Sequence, residues 1–344
     1  LIPADLHLPK KYTQWRTDQA ETVEKIVHSG KKFFLLDSPT GAGKSLSAIA
    51  AYKRLLPVDQ ALDRMLGEEE KYRCIYLTRT IQLQNQVLQD FPAKMVKGRS
   101  NYPCGRREKD FPNFTAADCP GNCGGAGNML GSHSCPYKWA KATAVKAPLA
   151  VLNDSYYLSE VNGPGQFSDA NMVVVDEVDG IEGSLMSFIE FTVSERQCKR
   201  YGLEPPEKMD SLVEWQTWAR GAYGRVEATI ESMGSQLPLA WESWGPGQDG
   251  LCKEIKQGQT FMNQMRLFIN EVNDTWILDL EPKSQAGWRV IFKPVTVGPY
   301  CEKYLWRHGK RFLGMSGTIL DPEILAQDLG IRDYDYQRLD SHFP

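Results

Sequence analysis

Lys32-Phe33-Phe34-Leu35-Leu36-Asp37-Ser38-Pro39-Thr40-Gly41-Ala42-Gly43-Lys44-Ser45 decides the fold. Its first five residues are an apolar run of buried-strand length. Leu46-Ser47-Ala48-Ile49-Ala50-Ala51-Tyr52-Lys53 follows it as a good helix former. Strand, glycine loop and helix is the context a phosphate-binding loop requires. Gly41 and Gly43 let backbone N–H groups approach an anion with no Cβ in the way, and the helix N-terminus behind them adds partial positive charge. Lys44 supplies a full charge for the β/γ-phosphates, and Ser45 offers a hydroxyl to Mg²⁺. The strict pattern opens with glycine; Ser38 stands there in this chain.

Composition bounds the rest. The chain has 344 residues, 42% hydrophobic and 24% charged, enough for two or three domains with a sizeable core. Its net charge of −3 confines any nucleic-acid surface to a local patch. No signal peptide or bilayer-spanning apolar run is read, so no membrane partner is expected. Four of the eight cysteines crowd between Cys104 and Cys135. That clustering points to a metal site in a reducing compartment, cytoplasmic or nuclear and not secreted. The chain starts at Leu1, without Met, and is expected to be a segment of something longer.

Upstream of the glycine loop, Thr17 or Asp18 is expected to cap a helix carrying Ala20, Val23, Ile26 and Val27 on one face. Arg16 and Gln19 sit at its start, and a Gln so placed can bond both edges of an adenine. Residues 57–73 are polar and acidic and read as a surface excursion. Cys74-Ile75-Tyr76-Leu77 is a second strand, running into Thr78-Arg79-Thr80 and a helix from Ile81 to about Gln89. It would place a guanidinium and hydroxyls at the carboxyl edge of a parallel sheet, where they suit a phosphate backbone.

Residues 94–139 lose periodicity. Lys94, Lys97, Arg99, Arg106, Arg107 and Lys109 lie near Tyr102 and Phe111, a basic and aromatic set suited to nucleic acid. Cys104, Cys119, Cys123 and Cys135 offer thiolates that a metal centre could use to hold this segment together. Zinc, on these cysteines or with His133 replacing one of them, and a four-cysteine iron–sulfur cluster both fit the spacing.

Trp139–Val145 reads as helix and Pro148–Asn153 as strand. Asn171-Met172-Val173-Val174-Val175 is a continuous apolar strand that delivers Asp176 and Glu177 at its end. In a nucleotide hydrolase the first acid holds Mg²⁺ through water, and the second orients and deprotonates the attacking water. Residues 183–285 read as a mostly helical insertion, with helices from Ser211 to about Met233 and from Phe261 to about Val272, broken by a loop at Gly245–Gly250. Its Trp215, Trp218, Trp241, Trp244 and Trp276 are expected in its core. The sheet pattern then returns in Trp288–Pro294 and Arg311–Met315, the latter ending in Ser316-Gly317-Thr318, with a helix from Pro299 to about His308 between them.

In that order, the motifs resemble the iron–sulfur superfamily 2 DNA helicases of the XPD/DinG family. They are Arg16/Gln19, Ser-Pro-Thr-Gly-Ala-Gly-Lys-Ser, Leu-Thr-Arg-Thr, four cysteines closing in Cys135-Pro136-Tyr137, Leu152-Asn153, Asp176-Glu177-Val178-Asp179 and Met315-Ser316-Gly317-Thr318. The fold implied is α/β: a RecA-like P-loop parallel sheet flanked by helices, with an irregular iron–sulfur insertion and a mostly helical arch insertion. The motor domain would comprise residues 1–93, 140–182 and 286–344, the cluster domain 94–139 and the arch 183–285. The resemblance implies an ATP-dependent 5′→3′ helicase or translocase on single-stranded or forked DNA. Arg16 and Gln19 would contact adenine. Ser38, Pro39, Thr40, Gly41, Ala42, Gly43, Lys44 and Ser45 would cradle the phosphates, with Lys44, Asp176 and Glu177 catalytic. Cys104, Cys119, Cys123 and Cys135 would ligate a 4Fe-4S cluster. Arg79, Thr80, Lys97, Arg99, Tyr102, Arg106 and Arg107 would lie on DNA. The family usually has His where Asp179 stands and Ala where Gly317 stands. A second motor domain carrying the arginine finger is expected in the full-length chain, so this chain alone is expected to bind ATP and DNA with slow turnover. The alternatives are a nucleotide- and DNA-binding scaffold without motor activity, or a nuclease-associated ATPase, although no nuclease constellation stands out.

Overall fold

The computed structural model describes residues 2–16, 18–66, 72–104, 113–119, 135–238, 247–284 and 287–340. The chain divides into two compact units. The first comprises Leu1–Lys97, Trp139–Leu185 and Val297–Pro344; the second comprises Gly98–Lys138 and Met186–Thr296.

A seven-stranded parallel sheet forms the first unit. Its strands are β1 (Phe33–Asp37), β2 (Cys74–Thr78), β3 (Lys94–Val96), β4 (Leu149–Asn153), β5 (Ala170–Asp176), β9 (Gly309–Ser316) and β10 (Tyr334–Arg338), in the order β10-β1-β9-β5-β2-β4-β3. Every residue of β1, β2 and β5 is buried, as expected of strands covered on both faces. The helices of this unit include α1 (Gln19–His28), α2 (Lys44–Leu66), α3 (Ile81–Asp90), α5 (Asp154–Val161), α10 (Gly298–Tyr304) and α11 (Pro322–Asp328). Two more, α4 (Pro136–Lys146) and α6 (Ile181–Ile189), run across unit boundaries. A core of Val23, Leu36, Ile49, Tyr76, Val151, Val174 and Met315 joins sheet and helices. This is the RecA-like parallel α/β fold anticipated for the chain.

Register positions the site. Asp37 pairs with Ser316, Asp176 with Met315, Leu77 with Val175 and Thr78 with Asn153. The carboxyl ends of β1, β9, β5, β2 and β4 therefore finish at one level, where α/β sheets bind ligands.

Local expectations need several corrections. Asp18 starts α1 through its backbone, its carbonyl accepting from Thr22 N at 2.8 Å and Thr22 Oγ1 at 2.7 Å. The buried face of α1 is Gln19, Thr22, Val23 and Ile26, while Ala20 is exposed. Thr17 lies outside the described residues. Residues 57–66 continue α2 past Pro57. Lys94–Val96 forms β3, the edge of the main sheet.

The second unit also departs from expectation. It holds α7 (Glu195–Arg200), α8 (Leu212–Ser235) and α9 (Gln248–Glu271) with an antiparallel sheet of β6 (Phe191–Ser194), β7 (Trp276–Ser284) and β8 (Gly287–Pro294), in the order β6-β8-β7. Trp288–Pro294 is thus a strand, but of this small sheet and not of the main one. The helix expected from Phe261 begins at Gln248, inside the stretch read as a loop. Phe292 packs against Phe191, Phe268 and Trp215 at ring distances of 5.8, 4.8 and 5.4 Å. Trp215 and Trp276 are buried there as expected; Trp218 is half-buried, and Trp241 and Trp244 lie outside the described residues.

Candidate nucleotide site

The loop between β1 and α2 has Gly41 at φ 84° and Gly43 at φ 88°, left-handed conformations that glycine adopts without strain. Lys44 Nζ donates to Ser38 O at 2.8 Å. Ser38 N donates to Ser316 O at 2.8 Å, joining the loop to the end of β9. Ser38 Oγ is buried without a hydrogen-bond partner. A buried hydroxyl left so is costly unless something else meets it, and a phosphate in the loop would.

Arg16 and Gln19 reach this loop from the start of α1. Arg16 Nη1 donates to Gly41 O at 2.7 Å, Gln19 Nε2 donates to Ala42 O at 2.8 Å, and Gln19 Oε1 accepts from Arg16 N at 2.9 Å. Gln19 is buried. A Cβ added at Gly43 would collide with its Nε2. The pair expected on adenine thus grips the backbone of the phosphate loop.

The magnesium residues are joined by a side chain that motif reading passed over. Ser45 Oγ lies 2.8 Å from Tyr76 OH, which donates to Asp176 Oδ2 at 3.0 Å. Tyr76 is buried in the middle of β2. A tyrosine in an otherwise apolar strand was the available signal, since a buried phenol needs a partner. Burial raises the Asp176 carboxyl above its ordinary range and Glu177 adds to this, while the Tyr76 hydrogen bond and Lys44 act the other way. Ser45 and Asp176 are oxygen donors of the kind Mg²⁺ takes, brought within one bridging group of each other, so the site fits that ion. Glu177 follows in an exposed left-handed conformation, φ 58° and ψ 54°. Such a conformation in a non-glycine residue costs on the order of 1–3 kcal/mol and clusters at functional sites.

Asp179 and Gly317 also meet this site. Thr318 Oγ1 donates to Asp179 Oδ2 at 3.1 Å and lies 3.0 Å from Ser316 Oγ. A Cβ added at Gly317 would lie 3.3 Å from Ser38 O and 3.7 Å from Lys44 Nζ. The acidic turn and the hydroxyl turn after β9 are therefore in direct contact, with Asp179 as acceptor.

Arg79 is exposed, and a Cβ added at Gly180 would lie 2.7 Å from its Cζ. Thr80 Oγ1 accepts from Leu83 N at 3.3 Å as the N-cap of α3. Asn153 Nδ2 donates to Arg79 O at 2.8 Å. Asp154, unremarked in the sequence, is buried beside this group. Burial raises its carboxyl to about 6, against Ser184 and Arg79, which favour the charged form; Glu177 adds to the rise. At the far side of the phosphate loop, Arg338 Nε lies 3.6 Å from Asp37 Oδ2, and Tyr336 OH donates to that oxygen at 3.4 Å.

In the second unit, Arg99 donates to Ala116 O at 2.9 Å and Cys119 O at 3.2 Å and lies over the Tyr137 ring. Tyr102 packs edge-on to Tyr137, ring centroids 5.6 Å apart. Both residues therefore brace the cysteine segment. Lys97 is half-buried in the first unit. Cys104, Cys119 and Cys135 form no disulfide and are partly exposed. Among the described residues no group of three or more His, Cys, Asp or Glu gathers to hold a metal. Cys123, His133, Arg106, Arg107, Lys109 and Phe111 lie outside the described residues. No helix among the described residues is long and apolar enough to cross a membrane.

No curated protein matches the chain in sequence. Among solved structures it is similar to one described as XPD helicase, at 15% identity and a TM-score of 0.54, covering 93% of this chain and 61% of that one. A structure described as truncated XPD is similar at 14% identity and a TM-score of 0.49, covering 95% of this chain and all of that one. The chain thus spans about three fifths of the length of the first of these structures. Residues 16–111, which hold the phosphate loop, Tyr76 and Arg79, match the DEAD/DEAH box helicase family.

Proposed function

We propose that this chain carries the nucleotide-binding motor lobe of an ATP-dependent DNA helicase or translocase moving 5′→3′ on single-stranded DNA. The observation that carries this reading is the convergence at one sheet edge of Lys44, the linked Ser45–Tyr76–Asp176 set and the Asp179–Thr318 contact. Lys44 neutralises the β/γ-phosphates, Ser45 and Asp176 hold Mg²⁺, and Glu177 orients and activates the attacking water. Arg16 and Gln19 contact the adenine from the start of α1. A second motor lobe completes the cleft and supplies the arginine that meets transition-state charge, a contribution on the order of 10³–10⁵ in rate.

The reading extends to the inserted segments. Arg79, Thr80, Lys97, Arg99, Tyr102, Arg106 and Arg107 follow the DNA strand, and Cys104, Cys119, Cys123 and Cys135 hold a 4Fe-4S cluster. The support for the cluster is the crowding of the four thiols into one segment. No step of hydrolysis is assigned to it. The test is phosphate release with and without single-stranded DNA, run beside strand displacement on duplexes with a 5′ or a 3′ tail. DNA-stimulated release, and displacement from the 5′ tail once a second lobe is present, is the expected result. ATP turnover indifferent to DNA, or a preference for the 3′ tail, would overturn it.

A further inference from the structure

We propose that Tyr76 is a positioning residue for Mg²⁺, a phenol that ties Ser45 and Asp176 into one preset pair. The inference rests on the nucleotide-hydrolase reading and adds to it a residue outside the phosphate-loop and acidic motifs. Tyr76 OH is 3.0 Å from Asp176 Oδ2 and 2.8 Å from Ser45 Oγ. A carboxylate only accepts, so the phenol gives its one proton to Asp176. The Tyr76 oxygen is then left to accept, and Ser45 must be the donor. A serine hydroxyl has one proton and two lone pairs. With its proton committed to Tyr76, Ser45 presents only acceptor character to the cleft, as a cation ligand must.

The sheet fixes where this happens. Tyr76 is fully buried, and its backbone pairs with Val151 of β4 on one side and Val174 of β5 on the other. Its ring cannot follow a ligand that wanders. Mg²⁺ demands near-ideal octahedral geometry at about 2.0–2.1 Å and tolerates little misplacement of its ligands. Partners that orient metal ligands contribute accordingly, and their removal typically lowers metal affinity by roughly 10–100-fold. If Tyr76 were only a core residue satisfying its own hydroxyl, its loss would move stability and nothing else.

Tyr76→Phe keeps the ring and removes the bridge. The affinity of the full chain for a fluorescent ATP analogue, with Mg²⁺ and with EDTA, gives the ratio by which the ion strengthens binding. Tyr76→Phe should lower that ratio roughly 10–100-fold. Ser45→Ala should lower it too, and the double variant should fall by less than the product of the two, because they act through one another. A Tyr76→Phe chain with the wild-type ratio, or multiplicative single effects, would overturn the inference. Wild-type protein that binds no analogue with or without Mg²⁺ overturns the nucleotide reading beneath it, whereas binding without any Mg²⁺ preference overturns the inference alone, so the two failures are told apart. Should Tyr76→Phe not fold, 3-fluorotyrosine at position 76 of the wild-type chain serves instead. Its ¹⁹F resonance should shift on adding Mg²⁺ to the nucleotide complex, and a resonance unmoved by Mg²⁺ would overturn the inference.

Discussion

Gly43→Ala is the substitution whose consequence follows most directly from the geometry. At φ 88° an alanine is held in a left-handed conformation, at a cost of roughly 1–2 kcal/mol. Its Cβ would also collide with Gln19 Nε2. Gln19 has little room to yield, being 2% exposed and bonded at both ends of its amide, to Ala42 O at 2.8 Å and from Arg16 N at 2.9 Å. Moving it breaks both bonds, each worth about 0.5–1.5 kcal/mol. The sum is about 2–5 kcal/mol in the phosphate loop, enough to reorganise the loop before the sheet unfolds. Thermal melting should therefore show a small loss, while Mg-ATP affinity measured by fluorescence titration falls by at least about tenfold, the equivalent of 1.4 kcal/mol. Wild-type affinity together with a wild-type melting midpoint would refute the packing of Gln19 against the loop.

Further outcomes follow from other contacts. Asp154→Asn should stabilise the protein by roughly 1–3 kcal/mol at pH 8 and leave it unchanged near pH 4, measured by denaturant titration. A buried carboxyl raised from its ordinary value near 3.8 to about 6 loses stability as pH rises through that window, and the loss is constant above it. Thr318→Val should leave Mg-ATP binding intact but reduce the stimulation of ATP turnover by DNA, because it removes the link to Asp179; unchanged stimulation would count against that link. Phe292→Ala removes a ring fully buried among Phe191, Phe268 and Trp215. It should cost the second unit about 3–5 kcal/mol by calorimetry. Anaerobically purified protein should contain about four irons and four sulfides per chain with visible charge-transfer absorption; one zinc and no iron would replace the cluster with a zinc site.

What could be read from sequence tracks how local the determinant is. The strand, loop and helix around Lys44 lie in one contiguous stretch, and β5 announces itself as an unbroken apolar run, so both were legible. Trp288–Pro294 was legible as a strand but not as to its sheet, because strand partners are tertiary. Its buried positions alternate at Val290, Phe292 and Pro294, the period of a half-covered antiparallel strand, whereas β1, β2 and β5 are buried throughout. Tyr334–Arg338 went unread because Tyr-Asp-Tyr-Gln-Arg is too polar for a central strand; among the described residues it sits at the sheet edge, paired with β1. The start of α9 was hidden by three glycines near position 248. In the site, the motif residues were legible by type, and their partners were not. Tyr76 lies 31 residues from Ser45 and 100 from Asp176, and Thr318 lies 139 from Asp179, separations that only the sheet register closes.

The central claim is that Lys44, Ser45, Asp176 and Glu177 form one working Mg-nucleotide site. Mg-ATP binding and single-turnover hydrolysis, compared among the wild-type chain, Lys44→Ala and Glu177→Gln, test it most directly. The account predicts Mg-dependent binding by the wild type, loss of that binding in Lys44→Ala, and binding without hydrolysis in Glu177→Gln. Wild-type protein with no Mg-dependent ATP binding, or a Lys44→Ala variant that binds and hydrolyses as the wild type does, would contradict it.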